Sequence, residues 1–244
     1  LDQLAISAQF GSGRLNQFSL HPELPLIAVA GSRGIWLLDS QTLTILRKIE
    51  AHPGDIEVLT FSPDGSLLLS GGDDGLINVW DTESWALREV LTGHDAAITD
   101  LAFSPDNTHA ASASDDGDVI VWAIESAALV TRFEDHPIET EALAWSPDGT
   151  RIASGDLQGG LYIWEASSGE IEHSLDEHEG WITDLLWLAD GRLISGSFDR
   201  TIRIWQPDNP AATIPLDTLS SNTAQALYED RDVLRGGRGG PVAL

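Results

Sequence analysis

The sequence predicts an all-β protein assembled from repeated four-stranded antiparallel sheets, and three observations carry that prediction. Four histidines, His52, His94, His136 and His178, stand 42 residues apart, and four tryptophans, Trp80, Trp122, Trp164 and Trp205, are spaced by 42, 42 and 41. Asp-Gly pairs recur at Asp64-Gly65 and Asp148-Gly149, and again at Asp74-Gly75 and Asp116-Gly117. Such pairs turn hairpins because both residues tolerate positive φ. A fixed period of this length marks one supersecondary unit that cannot bury its apolar face alone and therefore stacks on its neighbour.

The repeated stretch runs from Ser104 to Trp122, with copies at Ser62 to Trp80 and Ser146 to Trp164 and a looser one at Leu188 to Trp205. Gly93-His94 opens one repeat and Trp80-Asp81 closes another; elsewhere the pair is relaxed, as in Ala51-His52, Asp135-His136, Glu177-His178, Trp122-Ala123, Trp164-Glu165 and Trp205-Gln206. On these residues the chain resembles the WD-repeat β-propeller family over about residues 1–216. The resemblance implies a propeller of four-stranded antiparallel blades. It also implies a non-catalytic platform that presents rigid loops to protein partners.

Taken in order, residues 4–9 alternate weakly and read as a lone strand within 1–9, ahead of a Gly-Ser-Gly loop. The first blade, 10–50, is degenerate: strands are expected at 15–20, 26–30 and 35–38, and Trp36 falls out of register while Asp39 keeps it. Its Gly34-Ile35-Trp36-Leu37 segment resembles the start of bacterial WD-repeat proteins that follow an export leader. Blades 51–92, 93–134 and 135–176 carry the full pattern, and 177–216 is one residue shorter at Leu188-Ala189-Asp190-Gly191. In the third blade the strands read as 98–103, 109–112, 119–122 and 129–133. Beyond Pro207, residues 213–216 compete with 4–9 for the outer edge of the last blade. The tail, 217–244, carries helical character at 221–234 and ends Gly-rich. Five repeats leave two closures in competition, a sealed ring and an open or partner-completed one, and the blade lengths favour the second.

Composition narrows the function. Thirteen basic against 39 acidic residues give a net charge of −26, which repels phosphate backbones and anionic membranes and favours basic protein partners. There is no cysteine, hence no disulfide, thiolate metal site or cysteine nucleophile. No apolar run is long enough to span a membrane as a helix. No methionine is present, so Leu1 is not read as the translated start, and an extracytoplasmic location after leader removal is favoured over a cytoplasmic one. The single lysine, Lys48, follows no glycine run, so no phosphate-cradling loop exists and no cofactor is expected. The Arg235-to-Gly240 segment is similar to an RNA-binding Arg-Gly-Gly tail, but two arginines in so acidic a chain read better as a loose terminus.

His94, Ser112, Asp116 and Trp122 bring together the residue types of a hydrolase triad, and the set recurs as His52, Ser70, Asp74, Trp80 and as His178, Ser195, Asp199, Trp205. An active site needs no copy in every blade. The family resemblance implies instead a buried relay in which the turn carboxylate holds the histidine, which bonds the strand hydroxyl and then the indole. Beside His136, Ser154 and Trp164 the turn carries Gln158, so that relay is expected to be weakened. No catalytic residue is assigned.

Asp55, Asp73, Asp95, Asp115, Glu139 and Glu179 fall on one rim if the blades are radial, where a hard cation competes with ordinary acidic turn chemistry. His173 and His178 have zinc-ligand chemistry, but His178 belongs to a relay, and no metal is assigned. Leu157 and Phe198 replace the turn acids Asp73 and Asp115, and Trp181 follows His178. These five residues are the partner-binding candidates, the apolar three as interface anchors. The alternative is an enzyme or ion or ligand binder that uses a central channel, with Asp100 and Asp184 on innermost strands. An open ring also admits self-association.

Overall fold

The computed structural model describes residues 14–32 and 34–208, with the backbone of 214–216. The expected strand at 4–9, the helical stretch at 221–234 and the Gly-rich end lie outside these residues. The described chain is all-β, with no helix among the described residues, and forms five antiparallel four-stranded sheets. Each sheet runs in chain order from its innermost to its outermost strand.

The first sheet comprises β1 (Leu15–Leu20), β2 (Leu26–Gly31), β3 (Gly34–Asp39) and β4 (Ile45–Ile49). The second comprises β5 (Ile56–Phe61), β6 (Leu67–Gly72), β7 (Ile77–Asp81) and β8 (Leu87–Leu91). The third holds β9 (Ile98–Phe103), β10 (His109–Ser114), β11 (Val119–Ala123) and β12 (Ala128–Phe133), and the fourth β13 (Thr140–Trp145), β14 (Arg151–Asp156), β15 (Leu161–Glu165) and β16 (Ile171–Leu175). The fifth holds β17 (Ile182–Trp187), β18 (Leu193–Ser197), β19 (Ile202–Trp205) and β20 (Ile214–Leu216), so the C-terminal segment takes the outer edge of the last sheet.

The turns between first and second strands are built by one device. Ser62, Ser104 and Ser146 each donate a hydroxyl to the aspartate two residues on, at 2.7, 2.6 and 2.6 Å. That carboxylate then accepts the N–H of Ser66, Thr108 or Thr150 at 3.0 Å. The first sheet substitutes His21, whose Nδ1 accepts the N–H groups of Glu23 and Leu24 at 3.1 and 3.0 Å. The next residue after the aspartate is Gly65 or Gly149 in two of these turns, at φ of 73° and 72°, and Asn107 at 63° in the third.

Innermost strands β1, β5, β9, β13 and β17 lie side by side, and an apolar core fills each space between successive sheets. Each core takes one face from each neighbour, for example Ala153, Leu161 and Ile163 of the fourth sheet against Leu185, Leu193 and Trp205 of the fifth. Ala28 belongs to the core shared with the second sheet and Leu185 to the core shared with the fourth. Among the described residues no apolar core joins the fifth sheet to the first, and Phe18 remains 54% exposed. The sheets are not closed into a ring.

Candidate functional site

Four hydrogen-bonded relays run through the second to fifth sheets. In the third, Trp122 Nε1 donates to Ser112 Oγ at 2.8 Å, Ser112 Oγ lies 2.8 Å from His94 Nε2, and His94 Nδ1 lies 2.9 Å from Asp116 Oδ2. The proton on Nδ1 is assigned from this chain, because a carboxylate only accepts. The other members repeat it: His52–Asp74 at 3.1 Å and His52–Ser70 at 2.9 Å in the second sheet, His178–Asp199 and His178–Ser195 both at 2.7 Å in the fifth. Trp80 and Trp205 donate to Ser70 and Ser195 at 3.0 and 2.8 Å.

The fourth sheet corrects the expectation from Gln158. His136 Nδ1 lies 3.1 Å from Asp156 Oδ2, and its Nε2 lies 2.7 Å from Ser154 Oγ, which accepts the Trp164 indole at 3.0 Å. Asp156 sits two residues before the usual turn position, yet its Oδ1 accepts the N–H groups of Gln158 and Gly160 as the other relay aspartates accept theirs. Burial pulls its carboxyl upward, but the bonds from His136, Gln158 and Gly160 outweigh that and hold it below the usual range. The relay is complete. Its sequence signal is Gly160, where a Cβ would lie 2.5 Å from Asp156 Oδ2; Leu76, Asp118 and Thr201 hold that place elsewhere.

The same balance holds Asp116 and Asp199 low: burial raises them, and bonds from the histidine and backbone, with Thr201 for Asp199, more than compensate. All four serines are 0% exposed, so no hydroxyl can meet a substrate. These relays satisfy buried indole, imidazole and hydroxyl groups, each of which would otherwise be left unpaired in a low-dielectric interior. The first sheet places Val29 and Leu38 where the others place the serine and the tryptophan, replacing the network with apolar packing.

At the end of the sheets that bears the relay histidines, the second turns lie in register. The N–H groups of Asp73, Asp115, Leu157 and Phe198 donate to the carbonyls of Asp55, Ala97, Glu139 and Trp181 at 3.0, 3.0, 3.2 and 2.9 Å. The rim thus changes character stepwise: two acids in the second sheet, one in the third, an acid beside half-buried Leu157 in the fourth, two aromatics in the fifth. Trp181 and Phe198 are 49% and 66% exposed and meet edge to face, ring centroids 5.1 Å apart. Asp73 and Asp115 are exposed. Asp95 and Glu179 each use their backbone N–H to hold the relay carboxylate below them. Among the described residues no group of three or more His, Asp or Glu side chains is placed to hold a metal ion. His173 lies on β16, paired across to Ile163 and apart from the relay of His178.

The channel acids separate. Asp100 accepts the N–H of Leu101 at 2.8 Å and, from the next sheet, the N–H of Leu143 at 2.9 Å, which makes it a tie between innermost strands. Asp184 stands at the same position in the fifth sheet; burial pushes its carboxyl up to about 6 against the bond from Leu185. A cleft beside the innermost strands, lined by Glu57, Thr99, Asp115 and Glu141, holds about 300 Å³ and no basic side chain.

Residues 43–81, 85–123, 128–165 and 169–206 match the family described as WD domain, G-beta repeat. Over 69 residues, 28% of this chain and 20% of the relative, the sequence is 36% identical to the Serine-threonine kinase receptor-associated protein of Gallus gallus. Over 67 residues it is 39% identical to Small ribosomal subunit protein RACK1y of Oryza sativa subsp. japonica, covering 27% of this chain and 20% of the relative. It is 31% identical over 67 residues to Protein HIR1 of Cryptococcus neoformans, covering 28% of this chain and 8% of that protein. The chain therefore spans a fifth or less of the length of these curated relatives. All three are eukaryotic, which lends no support to the bacterial likeness of the opening blade.

Proposed function

Because the chain belongs to the WD domain, G-beta repeat family, we propose that it is a non-catalytic protein-interaction scaffold whose docking rim is centred on Trp181 and Phe198. The observation that carries this is the exposed edge-to-face pair itself, held on clipped turns of a rigid array. Large aromatics at a rigid surface anchor partners because they exclude much water at small entropic cost. The partner would set apolar groups against this pair and basic groups towards Asp73 and Asp115, which suits a chain of net charge −26. The open end of the array offers a second surface, for self-association. Two relatives bear names of association, with a kinase receptor and within a ribosomal subunit, and both readings are of that kind.

The test is affinity capture with the wild type, with Trp181→Ala/Phe198→Ala and with Asp73→Asn/Asp115→Asn. The aromatic double variant should weaken a captured complex by about 2 kcal/mol or more. The acid variant should chiefly slow association and reduce its salt dependence. A complex indifferent to the aromatic pair rejects the rim.

A further inference from the structure

Two devices alternate along the array, and the fifth sheet carries both. A glycine socket joins the second sheet to the third and the fourth to the fifth; a side-chain tie joins the first to the second and the third to the fourth. On the second strand, directly after the relay serine, Gly71 and Gly155 leave sockets: a Cβ there would lie 2.6 Å from Ile98 Cγ2 and 2.5 Å from Ile182 Cγ2 of the following sheet. On the innermost strand, Gln17 and Asp100 reach across to accept the N–H of Leu59 and Leu143 in the following sheet, at 2.7 and 2.9 Å.

The fifth sheet repeats both. Gly196 follows Ser195, and a Cβ there would meet nothing nearer than its own sheet's Thr183 and Asp184, at 3.8 and 3.9 Å. Asp184 occupies the Asp100 position and holds Leu185 just as Asp100 holds Leu101. Ile194 and Ile202 are only half-buried, whereas Ala153 and Leu161, their counterparts in the fourth sheet, are fully covered by the fifth. The complementary half stands at the other end of this chain. Counted back from the turn residues His21, Ser104 and Leu188, Leu15 holds the place of Ile98 and Ile182 and is 58% exposed; Phe18, 54% exposed, holds the place of Leu101 and Leu185.

We propose that the fifth sheet of one copy receives the first sheet of a second copy, head to tail, with Leu15 seated over Gly196 and the Phe18 N–H on the Asp184 carboxylate. The contact joins in one interface the two devices that alternate along the existing ones. Because the two surfaces differ, the association is heterologous, running from copy to copy or closing into a larger ring. It rests on the open array and not on the aromatic rim, so failure of the rim experiment leaves it standing.

The test is sedimentation of the full chain over a wide concentration range. The wild type should gain mass with concentration. Gly196→Leu fills the socket, and Leu15→Glu charges the knob. Each should remain a single protomer about tenfold above the wild-type midpoint or beyond. Their equimolar mixture should associate again, because one keeps the knob and the other the socket. Dilute samples should melt like the wild type, since Gly196 has room within its own sheet; Gly196→Ala is the milder replacement if they do not. A wild type that stays a single protomer throughout, folded variants that associate as well as the wild type, or a mixture that stays monomeric would each overturn the proposal.

Discussion

Asp156 shows how a single residue can carry a role from an unusual position. Reading the repeat by alignment places the relay carboxylate at Gln158, because Asp74 and Asp116 stand directly before Gly75 and Gly117 as Gln158 stands before Gly159. What the chain conserves in space is an oxygen within reach of His136, and Asp156 supplies it from the strand end. The steric allowance at Gly160 was visible in the sequence, but its meaning depends on where the side chain points. The geometry makes a direct forecast. Asp156→Asn should destabilise the protein by about 1–3 kcal/mol, the cost of a buried group left short of its partner, while Gln158→Ala should be close to neutral. Equal losses in denaturant titrations would return the role to Gln158. His94→Ala should likewise lower the melting temperature without removing any binding measured below it.

Elements were legible where turn chemistry punctuates them. The expected strands at Leu15–Leu20 and Ile98–Phe103 match β1 and β9, each flanked by residues whose side chains build the adjoining turn. Outer strands were less legible. β4 and β8 have only their last residue buried, so the alternation that marks a half-buried strand is missing. The Ser-x-Asp turns carry a pH signature. Hydrogen bonds from Ser104 and Thr108 lower Asp106 to about 2, and those from Ser146 and Thr150 lower Asp148 to about 2. The unfolded carboxyls titrate near ~4. This contribution is therefore fully present above ~4 and disappears as the pH falls from ~4 towards ~2. Asp106→Asn/Asp148→Asn should lower the melting temperature at neutral pH and converge with the wild type in acid. A deficit independent of pH would show that packing, not ionisation, is lost.

For the whole molecule, family and blade number could be read from the period of 42. The blade lengths favoured an open or partner-completed array over a sealed ring, in agreement with sheets that do not close. The choice lies in which faces meet, and the described structure pairs Ala28 with the second sheet and Leu185 with the fourth. Asp184 reports the open end. Its folded value of about 6 lies above the unfolded one, so it costs stability as pH rises from ~4 through 6. Asp184→Asn, in the Leu15→Glu background that blocks association, should gain about 1 kcal/mol at neutral pH and little near ~4, where the carboxyl is protonated in both states. A gain of the same size at both pH values would contradict this origin.

The central functional claim is that partners meet the rim where acids give way to Trp181 and Phe198. Amide hydrogen exchange of the chain, free and saturated with a captured partner, tests it most directly. Protection should concentrate in residues 179–182 and 197–200, weakening towards the turn at Asp115. Protection confined to the opposite turns at 63–66, 105–108 and 147–150, with the aromatic loops unchanged, would contradict the account.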